Sequence, residues 1–336
     1  MLSLAFRRVG SRIAIVALTL LALVIVAAGC GGDDSSDEKA PPPARAQDFP
    51  EAKGETLRQL LTRLGSGPVL APSGAEFRTG EQRVGFALFR RDRSQITNAS
   101  VALYVAPAGG GPAKGPYLAR YEDMSVRPQF QSRQTATDPN AAKSIYTAKV
   151  PFDKAGRYEM LGIAKQGKKL VAATLPQAGI VVKKAADDPI PAVGTAPPRI
   201  HTPTITEVGG NAAAIDTRLP PSSMHDVDFA DVLGKKPVVL LFATPQLCQS
   251  RVCGPVVDLA EQVKANGANS DVAFIHMEVF RDNRIDKGIR PQMAAFHLQT
   301  EPWLFTFNKE GKVAARLEGA FSERELDDAI AKAKTG

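Results

Sequence analysis

The chain has 336 residues, of which 44 % are hydrophobic and 23 % are charged, with a formal net charge of +7. This length allows two domains of ordinary size, and the hydrophobic content is sufficient for packed cores. The charges are dispersed along the sequence and form no basic cluster. A nucleic-acid-binding face and a polybasic membrane-binding segment are therefore both excluded.

The N-terminus has the pattern of an export signal. Three arginines in the first twelve residues precede an apolar run over 13–28. That run is shorter than the roughly 20 residues of a membrane-spanning helix, and it is typical of a signal-peptide core. The sequence AAGC that ends at Cys30 resembles the lipobox of bacterial lipoproteins. The resemblance implies cleavage after residue 29 and a lipid on Cys30; the alternative is an uncleaved N-terminal anchor.

The segment after Cys30 is rich in Gly, Ser, Pro and charge and has no apolar period. Such a sequence cannot bury enough surface to fold, so we expect a disordered tether over 30–48. Cleavage would remove the three arginines and leave a charge of +4 on the mature chain.

An exported chain faces an oxidising space, where disulfides persist. With Cys30 assigned to the lipid, Cys248 and Cys253 remain as one pair and are expected to bond.

Residues 49–184 alternate in the manner of short antiparallel strands separated by Gly- and Pro-containing turns. Val101, Leu103 and Val105, for example, would share one face of a strand. We therefore predict an all-β, immunoglobulin-like sandwich, with a short helix within 51–64 and a solvated polar loop at 120–123. Residues 185–222 are rich in Pro, Gly and Thr and are predicted to form an extended linker.

Residues 223–336 alternate between strands and helices. The continuous apolar run 238–242 predicts a strand buried on both faces, and Pro255 opens a helix with apolar residues at helical spacing. A strand over 271–280, a short helix over 290–298 and a hairpin follow. Ser322 and Glu325 then form a capping box that opens the last helix.

This order, with cysteines at a strand-to-helix junction, resembles the thioredoxin fold. The motif Cys253-Gly-Pro-Val resembles the family's Cys-Gly-Pro-Cys, and Thr300-Glu-Pro-Trp stands where the family has a cis-proline loop. The resemblance implies a cis peptide bond before Pro302. It also implies that Pro302 and Trp303 shape a substrate groove, in which an extended peptide pairs with the backbone. The fold class is thus predicted as multidomain, an N-terminal sandwich plus a C-terminal α/β thioredoxin-like fold.

Two features depart from that family. The cysteines are spaced Cys-x4-Cys rather than Cys-x-x-Cys, and the family's buried aspartate has no evident counterpart in this sequence. Cys248 and Cys253 are the expected catalytic pair, with Cys253 placed to be a thiolate at a helix N-terminus and Arg251 adding positive charge. Which cysteine attacks is left open, and a purely structural disulfide is the alternative.

Peroxiredoxins and Sco-type copper chaperones are related proteins that also use cysteines. A peroxiredoxin motif is incomplete at both cysteines. Sco-type copper chaperones use Cys-x3-Cys with a distal histidine, and soft thiolates suit Cu(I). The available histidines are His201, His225, His276 and His297, and none of them is assigned as a metal ligand.

The sequence therefore predicts a lipid-anchored, extracytoplasmic thiol–disulfide exchange protein that acts on exported proteins. A non-catalytic anchored binding or scaffold protein and Sco-like copper handling are the alternatives. The expected partners are the bilayer, protein thiols or disulfides and an unknown redox partner. No cofactor, metal or nucleic acid is expected.

Overall fold

Nine strands between residues 66 and 183 build the larger of two sheets. The structure, a computed structural model, describes residues 40–176 and 179–336, and all of them belong to one compact unit, Glu38–Gly336. The strands of this sheet are β1 (Ser66–Pro72), β2 (Phe77–Arg78), β3 (Gly80–Phe89), β4 (Ser100–Pro107), β5 (Lys114–Asp123), β6 (Ser144–Phe152), β7 (Gly156–Gln166), β8 (Lys169–Thr174) and β9 (Ile180–Lys183).

Seven of these strands close into a barrel. The order is β1-β3-β6-β5-β4-β7-β8, and β8 returns to β1 through a parallel pairing that places Val69 opposite Thr174. The other neighbours in the barrel run antiparallel, and the short strands β9 and β2 extend the sheet from β7. Closure leaves these seven strands without a free edge.

The alternation predicted for β4 is present. Val101, Leu103 and Val105 lie in the apolar cluster formed by inward-facing side chains of the barrel strands. Tyr104, on the opposite face of β4, packs in a second cluster with Leu60 of helix α1 (Leu57–Leu64). Both faces of this strand are therefore buried, one by the barrel interior and one by the helix.

A mixed four-stranded sheet follows in the chain, in the order β11-β10-β12-β13. The strands β10 and β11 are parallel, and the other pairs are antiparallel. Its strands and the remaining helices are β10 (Val238–Phe242), β11 (Ala273–Met277), β12 (Trp303–Phe307), β13 (Val313–Glu318), α2 (Arg133–Thr137), α3 (Phe229–Val232), α4 (Cys253–Lys264), α5 (Pro291–Ala295) and α6 (Glu323–Thr335). One face packs on α4 and α6, and the other carries a cluster of Phe side chains.

The predicted fold class is wrong. The structure has a closed seven-stranded barrel where an immunoglobulin-like sandwich was expected. Beside the barrel lies a second, small sheet with few helices, which does not show a thioredoxin-like α/β fold. The sequence interpretation missed the strand β1 because its Gly67, Pro68 and Pro72 favour turns. If β1 is not recognised, β8 has no partner with which to close the barrel. The sequence then predicts an open sandwich.

The polar run 120–123 is also not a solvated loop. It belongs to β5, and Glu122 is 2 % exposed. Its carboxylate accepts hydrogen bonds from Arg120 Nε at 2.6 Å and from Ser322 Oγ at 2.6 Å, and it forms an ion pair with Arg324. Charged residues can lie in a buried strand when their partners come from a distant part of the chain, in this case 200 residues away.

Other local predictions are confirmed. The strand Val238–Phe242 has the predicted bounds, and Ser322 forms the predicted capping box with Glu325. The segment 185–222 contains only two 3₁₀ turns as regular structure, but Ile190 is buried in the cluster of the second sheet.

The predicted signal peptide, Cys30 and the tether up to residue 39 lie outside the described residues. Within the described part of the chain, no helix has the length and apolarity needed to span a bilayer.

A buried ion pair joins the barrel, the segment 185–222 and helix α4. Asp258 is fully buried, and its carboxylate lies 2.8 Å from Arg218 Nε. The other carboxylate oxygen accepts hydrogen bonds from the backbone N–H and the hydroxyl of Ser132, both at 3.0 Å. Arg218 also donates to the carbonyl oxygen atoms of Pro220 and Phe130. All three chain segments are therefore held at one carboxylate.

Replacing Asp258 with Ala leaves Arg218 buried without its counter-charge. We expect a loss of about 3–5 kcal/mol in the free energy of unfolding, measured by urea denaturation. The control is Asp286→Ala, which breaks an exposed 2.8 Å pair with Arg284 and is expected to cost less than about 1 kcal/mol. Equal losses in the two variants would show that the buried pair does not hold the junction.

Candidate functional site

The two cysteines lie where β10 passes through a loop into helix α4. Cys248 is in the loop, and Cys253 is the first residue of the helix. The two sulfur atoms are at disulfide-bonding distance, and the Cα atoms are 6.0 Å apart. The strand is buried on both faces and the helix packs on the sheet, so rigid elements hold both ends of the loop. The structure therefore brings the expected pair together.

The two sulfur atoms differ in their access to solvent. Cys253 is fully buried in the cluster between α4 and the sheet, whereas Cys248 is half-buried and packs at the edge of that cluster. Ser250 Oγ lies 3.1 Å from Cys248 Sγ, and Ser250 itself is exposed. An incoming thiol can therefore reach Cys248 more readily than Cys253.

A carboxyl group lies beside the buried sulfur. Glu301 Oε2 is 3.5 Å from Cys253 Sγ and accepts a hydrogen bond from the Thr244 N–H at 2.8 Å. Burial raises the pKa of Glu301 to about 8, and the hydrogen bond from Thr244 opposes this only in part. At neutral pH the carboxyl group of Glu301 is thus protonated in most molecules. The family's buried aspartate has no evident counterpart in the sequence. The position of Glu301 directly before Pro302 is the one sequence feature that indicates this carboxyl group.

The expected groove residues are placed next to this carboxyl group. The peptide bond between Glu301 and Pro302 is cis, as predicted, and Pro302 is buried. Trp303 is 2 % exposed, and its Nε1 donates to Thr300 Oγ1 at 2.9 Å. Its ring stacks on Phe305 in the cluster on the sheet face opposite α4. Trp303 therefore packs away from the cysteines.

A loop of the barrel lies against the same region. The carboxylate of Glu318 accepts hydrogen bonds from the N–H groups of Ala75 and Glu76, both at 2.9 Å, and from Thr300 Oγ1 at 2.7 Å. A cleft of about 470 Å³ remains between this loop and the residues before Pro302. The barrel thus forms one wall of the space where a substrate groove was expected.

A second cleft, of about 660 Å³, separates the barrel from the cysteine loop. Ser250, the neighbour of Cys248 Sγ, is on its wall, and most of its apolar lining comes from β1 and β3. Its charged lining residues are all arginines, namely Arg90, Arg91, Arg93 and Arg251. Arg251 pairs with Asp138 at 3.2 Å, so part of its charge is offset by that carboxylate. The cleft is open to solvent next to the accessible sulfur.

The histidines are not placed with the cysteines. His225 and His276 are buried on either side of Asp216, with ring nitrogens 2.9 and 3.4 Å from Asp216 Oδ2. Burial disfavours charge on His276, but the Asp216 carboxylate outweighs it and raises the pKa of His276. His201 lies 2.8 Å from Asp228, and His297 is exposed. The sequence does not predict this cluster, because Asp216 lies in the predicted linker, where no buried side chain is expected.

Comparison with known proteins gives little further information. No protein-family profile matches the chain, and no curated protein matches it significantly. One structural neighbour is a solved thioredoxin-like superfamily protein, which is 22 % identical and aligns over 32 % of this chain and 86 % of its own. The TM-score is 0.26, which is too low to establish a shared fold.

The difference in burial predicts a difference in reactivity. After reduction, a short pulse of iodoacetamide should modify Cys248 about tenfold faster than Cys253, because only the accessible sulfur meets the reagent. Peptide mass spectrometry measures the two extents of modification. In denaturant the two rates should become similar. Equal rates in the folded protein would contradict the assignment of Cys248 as the accessible sulfur.

Proposed function

We propose that this chain carries out thiol–disulfide exchange on exported proteins. The observation that carries the proposal is the asymmetry of the Cys248–Cys253 pair. One sulfur is accessible beside an open cleft, and the other is buried at a helix N-terminus beside a carboxyl group that is protonated at neutral pH. An exchange reaction needs an accessible sulfur to be attacked and a stabilised sulfur to leave.

The proposed reaction gives each group a role. A substrate thiolate attacks Cys248 Sγ, the bond between the two cysteines breaks, and Cys253 leaves as a thiolate. The dipole of helix α4 stabilises this thiolate, and Glu301 can give it a proton and become a carboxylate. A second substrate thiolate then attacks the substrate sulfur of the mixed disulfide and releases Cys248. Two substrate thiols have become a disulfide, and the pair has gained two electrons; the reverse sequence reduces a substrate.

A structural disulfide is the main alternative, and the chain spacing argues against it. The two cysteines are only five positions apart in sequence. In the chain-entropy model such a short loop stabilises the fold by about 2 kcal/mol, compared with about 4.7 kcal/mol for a 100-residue loop. The loop is already held by β10 and α4. A bond at this position therefore adds little stability and leaves the sulfur of Cys248 only half-buried.

The setting of the reaction is also a proposal. A lipid on Cys30 would hold the chain on the extracytoplasmic face of the cell membrane, with residues up to 48 as a tether. Protein thiols and disulfides would be its substrates. The pair would need a redox partner to restore it, either a more oxidising disulfide or a reducing dithiol.

The first test is the reduction potential of the pair. The protein, with Cys30→Ser to remove the third thiol, is equilibrated in graded thiol buffers, and the free thiols are counted by mass-shift alkylation. We expect a potential between about −120 and −270 mV, the range of exchange-active pairs. A value below about −300 mV would mark a structural disulfide and favour a non-catalytic anchored binding protein.

A second test concerns Glu301. Glu301→Gln removes the transferable proton while keeping the size of the side chain, so exchange with a dithiol substrate at pH 7 should slow by about tenfold or more. Because the pKa of Glu301 is about 8, the proton is present below that pH and lost above it. The advantage of the native protein over the variant should therefore shrink as the pH rises from 7 to 9.

The control for this experiment is Glu310→Gln, an exposed carboxylate in the turn between β12 and β13. It should leave the rate unchanged at each pH. A ratio of native to Glu301→Gln rates that does not vary with pH would show that Glu301 is not the proton donor.

Copper handling is the second candidate, and one observation favours it. Ligand atoms of Cys248, Cys253 and Glu301 lie within 4.8 Å of one another, so the reduced pair could hold a soft cation such as Cu(I). This group contains no histidine, unlike the Sco-type site. Tight one-to-one Cu(I) binding by the reduced protein, combined with a potential too low for exchange, would favour this function.

A further inference from the structure

Four polar side chains meet in a buried space behind the end of β10. Asp216, Ser222 and His225 come from the segment that precedes the second sheet, and His276 comes from β11. All four are at most 7 % exposed. The atoms within hydrogen-bonding distance of one another are Asp216 Oδ2, Ser222 Oγ, His225 Nε2 and His276 Nδ1.

Four separations between these atoms are compatible with a tetrahedral metal site. Asp216 Oδ2 lies 2.9 Å from His225 Nε2 and 3.4 Å from His276 Nδ1. Ser222 Oγ lies 3.3 Å from each of the same two nitrogens. Ligands that bind zinc at about 2.0–2.1 Å in a tetrahedron are about 3.3 Å from one another. The four separations therefore need only small adjustments to accept an ion.

The surroundings orient the ligands as metal sites require. His276 donates its other ring nitrogen, Nε2, to the carbonyl oxygen of Ala243 at 2.9 Å, which leaves Nδ1 to face the centre. Asp216 Oδ1 accepts a hydrogen bond from the Arg218 N–H at 2.7 Å, and Oδ2, which faces the two imidazoles, accepts one from the Ser222 N–H at 2.6 Å. A backbone carbonyl on the second nitrogen of a ligating histidine is a common feature of such sites.

A second buried carboxyl group, that of Glu278, lies near the cluster. Glu278 is two residues after His276, and it is 1 % exposed. Its Oε1 accepts hydrogen bonds from the N–H and hydroxyl of Thr217, both at 2.7 Å, whereas Oε2 has no hydrogen-bond partner among the described residues. An unpartnered oxygen in a buried carboxylate is costly, and a nearby cation would offset that cost.

We infer that Asp216, Ser222, His225 and His276 form a site for a divalent transition metal, for which Zn²⁺ is best suited. Two imidazoles and a carboxylate are ligands typical of zinc, and the hydroxyl takes the fourth corner. The ion would take the place of the hydrogen bonds between the two imidazoles and Asp216. It fixes the segment 216–225 to β11, and it is separate from the cysteine pair.

Cobalt gives a direct test, because tetrahedral Co²⁺ has intense visible d–d bands. The full-length chain with Cys30→Ser is kept in detergent with Cys248 and Cys253 oxidised, so that no thiol competes for the metal. After chelation and dialysis it is titrated with Co²⁺ and then with Zn²⁺. We expect one equivalent of tetrahedral Co²⁺, displacement of its bands by one equivalent of Zn²⁺, and a higher melting temperature with Zn²⁺.

Matched variants locate the site. Asp216→Asn and His225→Asn should abolish the cobalt bands, whereas His297→Asn, which replaces an exposed histidine, should keep them. The absence of stoichiometric binding by the folded parent would overturn the inference, whatever the variants do. An octahedral spectrum, or bands that persist in both Asp216→Asn and His225→Asn, would overturn it as well.

Discussion

The buried carboxylate of Asp258 is the constraint on which the rest of the structure depends. A lone ionised carboxylate in an apolar interior is strongly disfavoured, so this side chain requires its partners to be in place. Those partners, Ser132 and Arg218, come from the loop between two barrel strands and from the segment before the second sheet. Asp258 lies on the same helix as Cys253, five residues further along. Satisfying one charge therefore also fixes the helix that carries the buried sulfur.

The cysteine pair and the histidine cluster share one piece of backbone. The carbonyl oxygen of Ala243 accepts from His276, and the N–H of the next residue, Thr244, donates to Glu301. Ala243 is thus bonded to the histidine cluster, and the next residue, Thr244, is bonded to the carboxyl group beside Cys253. The histidine cluster and the carboxyl group beside Cys253 are therefore both bonded to the two residues that follow β10.

Local signals in the sequence were sufficient for local structure. The apolar run 238–242 and the capping box at Ser322 are decided by neighbouring residues, and the structure has both. Closure of the barrel is different, because it depends on Ser66 pairing beside Ala172, and β1 has a composition typical of turns. The site divides in the same way. The cysteine pair follows from its spacing and position, whereas the protonated state of Glu301 depends on burial by distant segments, which no local pattern encodes.

The position of the barrel along the chain has a consequence for how the protein is made. All seven barrel strands end by Thr174, and both cysteines come more than 70 residues later. A chain that emerges from its N-terminus can therefore complete the barrel before either cysteine appears. The sulfur atoms then meet a surface that is already folded, and their five-residue separation allows pairing without a search through the rest of the chain. The barrel strands contain no cysteine, so Cys248 and Cys253 have each other as the nearest partners in sequence.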